Sequence, residues 1–187
     1  MLSYIKNPRN IAVLVASIFA TATQTGILVW ILRYMVLRFN AGALGAVSIS
    51  VYWVCATINR FGVSRLSIAP THLFVWGALA TAVCLGGGVL SGSAMGMCLA
   101  MGGMGLCSGH FMQVLFGECA REYKGKTSFP TSILIVVMGL ARIVVPLIMA
   151  YVSNSVSVVV GMLLPAGTTV AAAVAGLWVA KLNRRLT

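Results

Sequence analysis

The sequence predicts an all-α integral membrane protein with six transmembrane helices. Three observations carry that prediction. First, 60 % of the 187 residues are apolar and only 8 % are charged, whereas a soluble domain carries roughly a quarter charged residues. Second, the chain contains six apolar stretches of the length needed to cross hydrocarbon, about 20 residues each. Third, the basic residues are gathered in short clusters between those stretches, as topology signals are, and not along one phosphate-tracking face. With 13 basic and 2 acidic side chains, the chain cannot cover a globule with solvated groups. A soluble enzyme, a disordered tail, a disulfide-stapled secreted domain and a nucleic-acid binder are excluded on that ground, despite the net charge of +11.

The spans are read at 11–32, 41–58, 70–90, 94–116, 131–151 and 156–180, together forming one domain over 1–187. The first follows Lys6 and Arg9, and its Ala20-Thr21-Ala22 imitates a signal-peptide cleavage site. The apolar run resumes through Leu32, too long for such a leader, and no cleavage is expected. The second and third flank a short basic segment with Arg60 and Arg65. The fourth is rich in glycine and methionine, and the fifth contains Gly139, Arg142 and Pro146. None alternates polar and apolar residues as barrel strands do, so all are expected to be helices. Between the fourth and fifth, 117–128 reads as the one substantial polar loop, holding Glu118 and Glu122 beside Arg121, Lys124 and Lys126. The expectation there is a solvated, locally paired segment.

Lysine and arginine set the expected orientation. Lys6, Arg9, Arg60, Arg65, Arg121, Lys124, Lys126, Lys181, Arg184 and Arg185 fall on one side of the six spans, and only Arg33 and Arg38 on the other. Ten against two places both termini in the cytoplasm, in a membrane of bacterial type. Trp30, Tyr34, Tyr151 and Trp178 sit where interfacial anchors belong. Cys55, Cys84, Cys98, Cys107 and Cys119 are odd in number and form no close pair, so they read as packing residues, not a zinc site or a disulfide framework.

The segment between the second and third spans runs Cys55, Ala56, Thr57, Ile58, Asn59, Arg60, Phe61, Gly62, Val63, Ser64, Arg65. It resembles the signature G-x-x-x-D-R-x-G-R-R that joins the second and third helices in each half of major facilitator superfamily transporters. Arg60 and Gly62 match, and Phe61 stands where that family often has an apolar residue. Cys55, Asn59, Val63 and Ser64 depart from the pattern, with Arg65 returning one charge just beyond. The opening Lys6–Arg9 segment, the glycine-rich fourth span and Gly139 with Pro146 in the fifth are similar to the second half of such proteins. The resemblance implies one six-helix half of a major-facilitator-type bundle. Members of the family rock two halves about a site between them. A lone half would therefore act as a homodimer or with a separately encoded half. Within it, Arg60, Phe61, Gly62 and Arg65 would form the conformational loop motif.

Arg142 is the most unusual residue, because a mid-span arginine costs about 2.5–3.5 kcal/mol on the translocon scale. No acid lies in any predicted span. Three readings stand open: attraction of an anionic substrate, bonding to helix-end carbonyls or a partner's acid, and snorkelling to headgroups. Thr21, Gln24 and Thr25 recur at helical spacing in the first span, and His110 and Gln113 are three apart in the fourth. Each pair or trio suits a polar cavity, and each equally suits interhelical hydrogen bonding. A histidine there would also serve proton coupling. Met97, Met101 and Met104 share a helix face, which reads as packing before it reads as a Cu(I) path. Gly92-x-x-x-Gly96 and Gly105-x-x-x-Gly109 offer close-approach surfaces.

The chain has no aspartate, no P-loop and no catalytic constellation, so neither an enzyme nor a resident cofactor or metal is expected. The expected function is a half-size secondary transporter that moves a small anionic solute by alternating access. Arg142, Thr21, Gln24, Thr25, His110 and Gln113 would contact substrate, and membrane lipid would be the other partner. The alternative is a non-transporting membrane module: a truncated transporter, an assembly factor or a structural subunit.

Overall fold

The computed structural model describes residues 7–65, 69–123 and 127–184. Lys6, Lys124, Lys126 and Arg185, four of the ten basic residues used for orientation, lie outside that set. The chain is all-helical: α1 Pro8–Phe39, α2 Gly42–Val63, α3 Pro70–Leu90, α4 Ala94–Ser108, α5 Phe111–Glu122, α6 Ser128–Ser155 and α7 Val158–Arg184. The α4–α5 pair is one broken span, so six helical segments among the described residues are long and apolar enough to cross a membrane. That is the pattern of a multi-pass membrane protein, in which helices satisfy every backbone group within hydrocarbon.

Local chemistry marks the ends. The Asn7 side chain accepts from the Arg9 amide at 3.0 Å and Pro8 occupies the first turn of α1, a position where its missing N–H is not needed. The helix continues past the basic Arg33 and Arg38 and stops only at Asn40, in the left-handed region at φ 52°. It is therefore longer at both ends than the apolar stretch alone. Ser93 caps α4 through the Gly96 amide at 3.0 Å. Gly92, at φ +60°, makes the preceding turn. Gly92 and Gly96 thus belong to a turn and a cap, not to a helix–helix contact.

α1 lies at the centre of the bundle and packs on α7, α6 and α2. α2 packs on α4, and α3 is held between α4 and α7. Gly105 and Gly109 permit the α2 contact. A Cβ on Gly105 would collide with the Tyr52 carbonyl, and one on Gly109 would lie 2.5 Å from the Ala56 carbonyl. This glycine pair serves packing within the bundle.

Two apolar cores fill the interior. One, in the half of the bundle that holds Arg9, Arg60, Arg121 and Arg184 (the basic end), includes Val13, Ala16, Phe74, Phe111 and Leu134. The other includes Ile31, Tyr34, Tyr52, Leu85, Met97, Met101 and Met104; the three methionines are fully buried packing residues. Polar groups lie between the two cores. The Thr23 hydroxyl is 2.9 Å from that of Thr168 and 3.0 Å from that of Thr169, and Gln24 donates to the Ser108 carbonyl at 3.2 Å.

Candidate functional site

The fourth span breaks at Gly109–His110, and a break inside a membrane helix leaves carbonyls that need donors. Residues from two other helices, α1 and α2, supply them. Arg60 Nε donates to the Gly109 carbonyl at 2.9 Å, and Asn59 Nδ2 donates to the Leu106 carbonyl at 2.5 Å. Gln24 serves Ser108. The His110 ring is buried, with Nδ1 3.0 Å from Asn59 Oδ1 and Nε2 3.3 Å from the Leu73 carbonyl. Asn59 and Arg60 of the loop motif thus bind α2 to the broken helix. Asn59, standing where the resembling signature has aspartate, can both donate and accept, as an aspartate could not. Phe61, Gly62 and Arg65 are exposed at the end of α2, and Phe61 is 72 % accessible.

Beside this break lies a half-open cavity of about 400 Å³, bounded by the end of α2, the start of α3 and the length of α5. Arg60, Ser64, His110, Gln113, Glu118 and Arg121 supply its polar lining, and Val63, Pro70, Leu73 and Val114 much of the apolar wall. Of the expected substrate contacts, only His110 and Gln113 reach it. His110 is committed to Asn59 and Leu73, whereas Gln113 is exposed and carries no hydrogen bond among the described residues.

The remaining expected contacts are scattered. Thr21 is buried, and its hydroxyl finds no partner among the described residues. Gln24 faces the helix break, and Thr25, about 100° further round α1, is half-buried and has no hydrogen bond among the described residues. Arg142, expected in the bundle interior or a wet cavity, is instead exposed on the outer surface of α6, with no hydrogen bond or ion pair among the described residues. Spacing alone does not account for this, because Met138, four residues before Arg142, and Met149, seven after it, are buried, and residues four or seven apart share a helix face. The chain does not gather Thr21, Gln24, Thr25, His110, Gln113 and Arg142 into one site.

No protein-family model and no curated protein matches the chain.

The second polar cluster lies at the basic end, where the sequence suggested a solvated loop. That expectation is corrected. Residues 111–122 continue the fourth span as helix α5, and Glu118 is only 4 % accessible. The Arg9 guanidinium meets its carboxylate at 2.7 Å. Asn183 completes the triangle, accepting from Arg9 Nε at 2.6 Å and donating to Glu118 Oε2 at 3.0 Å. Asn10 donates to the Tyr123 hydroxyl at 2.6 Å. These contacts tie the first turn of α1 to the last turns of α5 and α7. One signal for Glu118 was present in the sequence. Phe111, Val114, Leu115, Glu118 and Cys119 follow one helical stripe, and all five are buried.

Proposed function

We propose that the chain is one six-helix half of a secondary transporter of the major-facilitator type. It pairs with itself or with a complementary half and moves a small anionic solute by alternating access. In this reading both ends of the bundle's chain lie in the cytoplasm, and the membrane is the bacterial cytoplasmic one. One observation carries the proposal: a face of the bundle left uncovered. α1 is the central helix, yet Ile11, Ile18, Val29, Leu32 and Val36 form an exposed stripe along it, with half-buried Thr25 midway. α2 flanks that stripe on one side, through Gly45 against Leu32 and Met35. α6 flanks it on the other, through Met149 and Val145 against Gly26 and through Asn154, which accepts from Arg33 at 3.3 Å. Only 22 % of the apolar stretch of α2, and of α6, is buried, against 56 % for α1. This face, α1 flanked by α2 and α6, is a suitable wall for a pathway whose other wall is a second unit. Arg142, exposed at mid-span, gives such an assembly a cation for an anionic solute.

The test is flux. The chain, reconstituted in vesicles with its partner unit, should exchange a member of a carboxylate and phosphate panel. A bulky maleimide on Val29→Cys, in a cysteine-free background, should block that flux, while the same label on Val83→Cys of α3 should not. Absence of flux for every anion, or flux indifferent to the label at position 29, overturns the proposal. One observation favours the second reading, a non-transporting subunit. Asn59, Arg60, Gln24 and His110 are bonded within the bundle, and the cavity of about 400 Å³ lies to one side of the helix break, away from the uncovered face. A stable paired particle without flux would select that reading.

A further inference from the structure

We propose that the cavity between α2, α3 and α5 is a binding site for a phosphate-bearing anion with a short apolar body. It is lined by neither α1 nor α6, so it stands apart from the face proposed for pairing and does not depend on that reading. Its volume of about 400 Å³ falls within the range of small-molecule sites, roughly 300–1,000 Å³. The argument for an anion is a surplus of unspent donors. Arg60 uses only Nε, on the Gly109 carbonyl at 2.9 Å. Its two terminal nitrogens donate to nothing among the described residues, and the Nε bond holds the planar fork in place. Such a fixed guanidinium loses little freedom when it grips an oxyanion through two parallel bonds. Arg121 is a second guanidinium, 57 % accessible and 3.8 Å from Glu118. Gln113 adds an amide without a partner there.

Glu118 does not make this a cation site. Its carboxylate is already met by Arg9 at 2.7 Å and by Asn183 at 3.0 Å. Counting Arg9, Arg60 and Arg121 against Glu118, the cluster keeps a surplus of two positive charges. The positive end of the α3 dipole, whose first turn brings Pro70 and Leu73 to the wall, is offset by the negative end of α2, whose last turn brings Arg60 and Val63 there, so the sign of the site rests on the side chains. His110 is directed to the bundle, its ring nitrogens facing two acceptors, Asn59 Oδ1 and the Leu73 carbonyl, of which a neutral ring serves one. Two guanidiniums and an amide suit the several oxygens of a phosphate. Val63, Leu73 and Val114 leave the rest of the space to carbon, more than inorganic phosphate would fill. A phospholipid headgroup with the start of its chains and a soluble organic phosphate share this chemistry.

The two sources are separated by one experiment with two arms. The chain is placed in phosphatidylcholine nanodiscs. One arm titrates glycerol 3-phosphate by calorimetry. The other replaces part of the lipid with phosphatidylglycerol and counts retained lipid by native mass spectrometry. The expected result is one saturable site per chain in at least one arm. Saturation by glycerol 3-phosphate marks a soluble ligand, and retention of phosphatidylglycerol alone marks a headgroup. Arg121→Gln should weaken binding at least fivefold and Arg121→Glu should abolish it, because the exposed Arg121 can change without disturbing the helix break. Arg38→Gln, at the opposite end of the bundle, should bind as the unmodified chain does. Binding in neither arm, or undiminished binding by a folded Arg121→Glu protein, overturns the proposal.

Discussion

Removing the carboxylate of Glu118 should loosen the basic end of the bundle. In Glu118→Gln the side chain keeps its shape and can still accept from Asn183, but Arg9 loses its 2.7 Å ion pair at a site where the two side chains are 6 % and 4 % accessible. Breaking a buried pair from one side costs about 3–5 kcal/mol, because it leaves a charge in a poorly solvated place. Arg9→Gln should cost a similar amount. Replacing both residues with methionine should return most of the loss, since an apolar pair of similar volume is often neutral relative to a buried ion pair. The stability loss appears in thermal unfolding followed by a fluorogenic thiol reagent, which reacts as the buried Cys98 and Cys119 become accessible. For a chain of this length the single variants should lower the midpoint by on the order of 10 °C, and the double variant by much less than the sum. A Glu118→Gln midpoint within a degree or two of the unmodified protein would refute the assignment of this ion pair as a tie between α1, α5 and α7.

Other substitutions probe the rest of the account. Asn59→Leu strips the Leu106 carbonyl and His110 of their partner and should destabilise the bundle by about 1–3 kcal/mol, read by the same thiol assay. Gly105→Val forces side-chain atoms against the Tyr52 carbonyl and should cost about 1–3 kcal/mol or more through overpacking; it should also increase thiol labelling of Cys55, which faces that glycine. Arg142→Gln touches no bond within the bundle, so its midpoint should be unchanged or higher, while anion binding by the paired assembly should fall sharply and Arg142→Lys should keep part of it. Equal anion affinity in Arg142→Gln would remove this arginine from the substrate path.

What the sequence disclosed follows the reach of its forces. The six spans were legible because hydrocarbon thickness sets helix length, and each apolar stretch lies within helix except at 41, 109–110 and 156–157. Their ends were less so. Arg33, Tyr34 and Arg38 mark the limit of apolar residues, but nothing in them breaks a helix, and α1 runs on to Asn40. Residues 117–122 looked like loop because they are charged, although their apolar neighbours at positions 111, 114, 115 and 119 follow a helical stripe that includes Glu118. The partners of Arg9, 109 and 174 residues away, are tertiary and leave no local trace. Mid-span polarity was legible at Thr21, Gln24 and His110, but orientation was not. The Thr23–Thr168–Thr169 contact went unnoticed, and Arg142 is exposed although Met138 and Met149, at spacings that share its helix face, are buried.

The uncovered face of α2, α1 and α6 carries the functional account, and the mass of the particle in its own membrane tests it most directly. Extracted by an amphipathic polymer without detergent from the cells that make it, the chain should be found with a second six-helix unit, either another copy or a different chain. A disulfide or short bismaleimide bridge from Val29→Cys should reach that unit. Particles holding a single 19.6 kDa chain surrounded by lipid, with position 29 unbridged, would contradict the account.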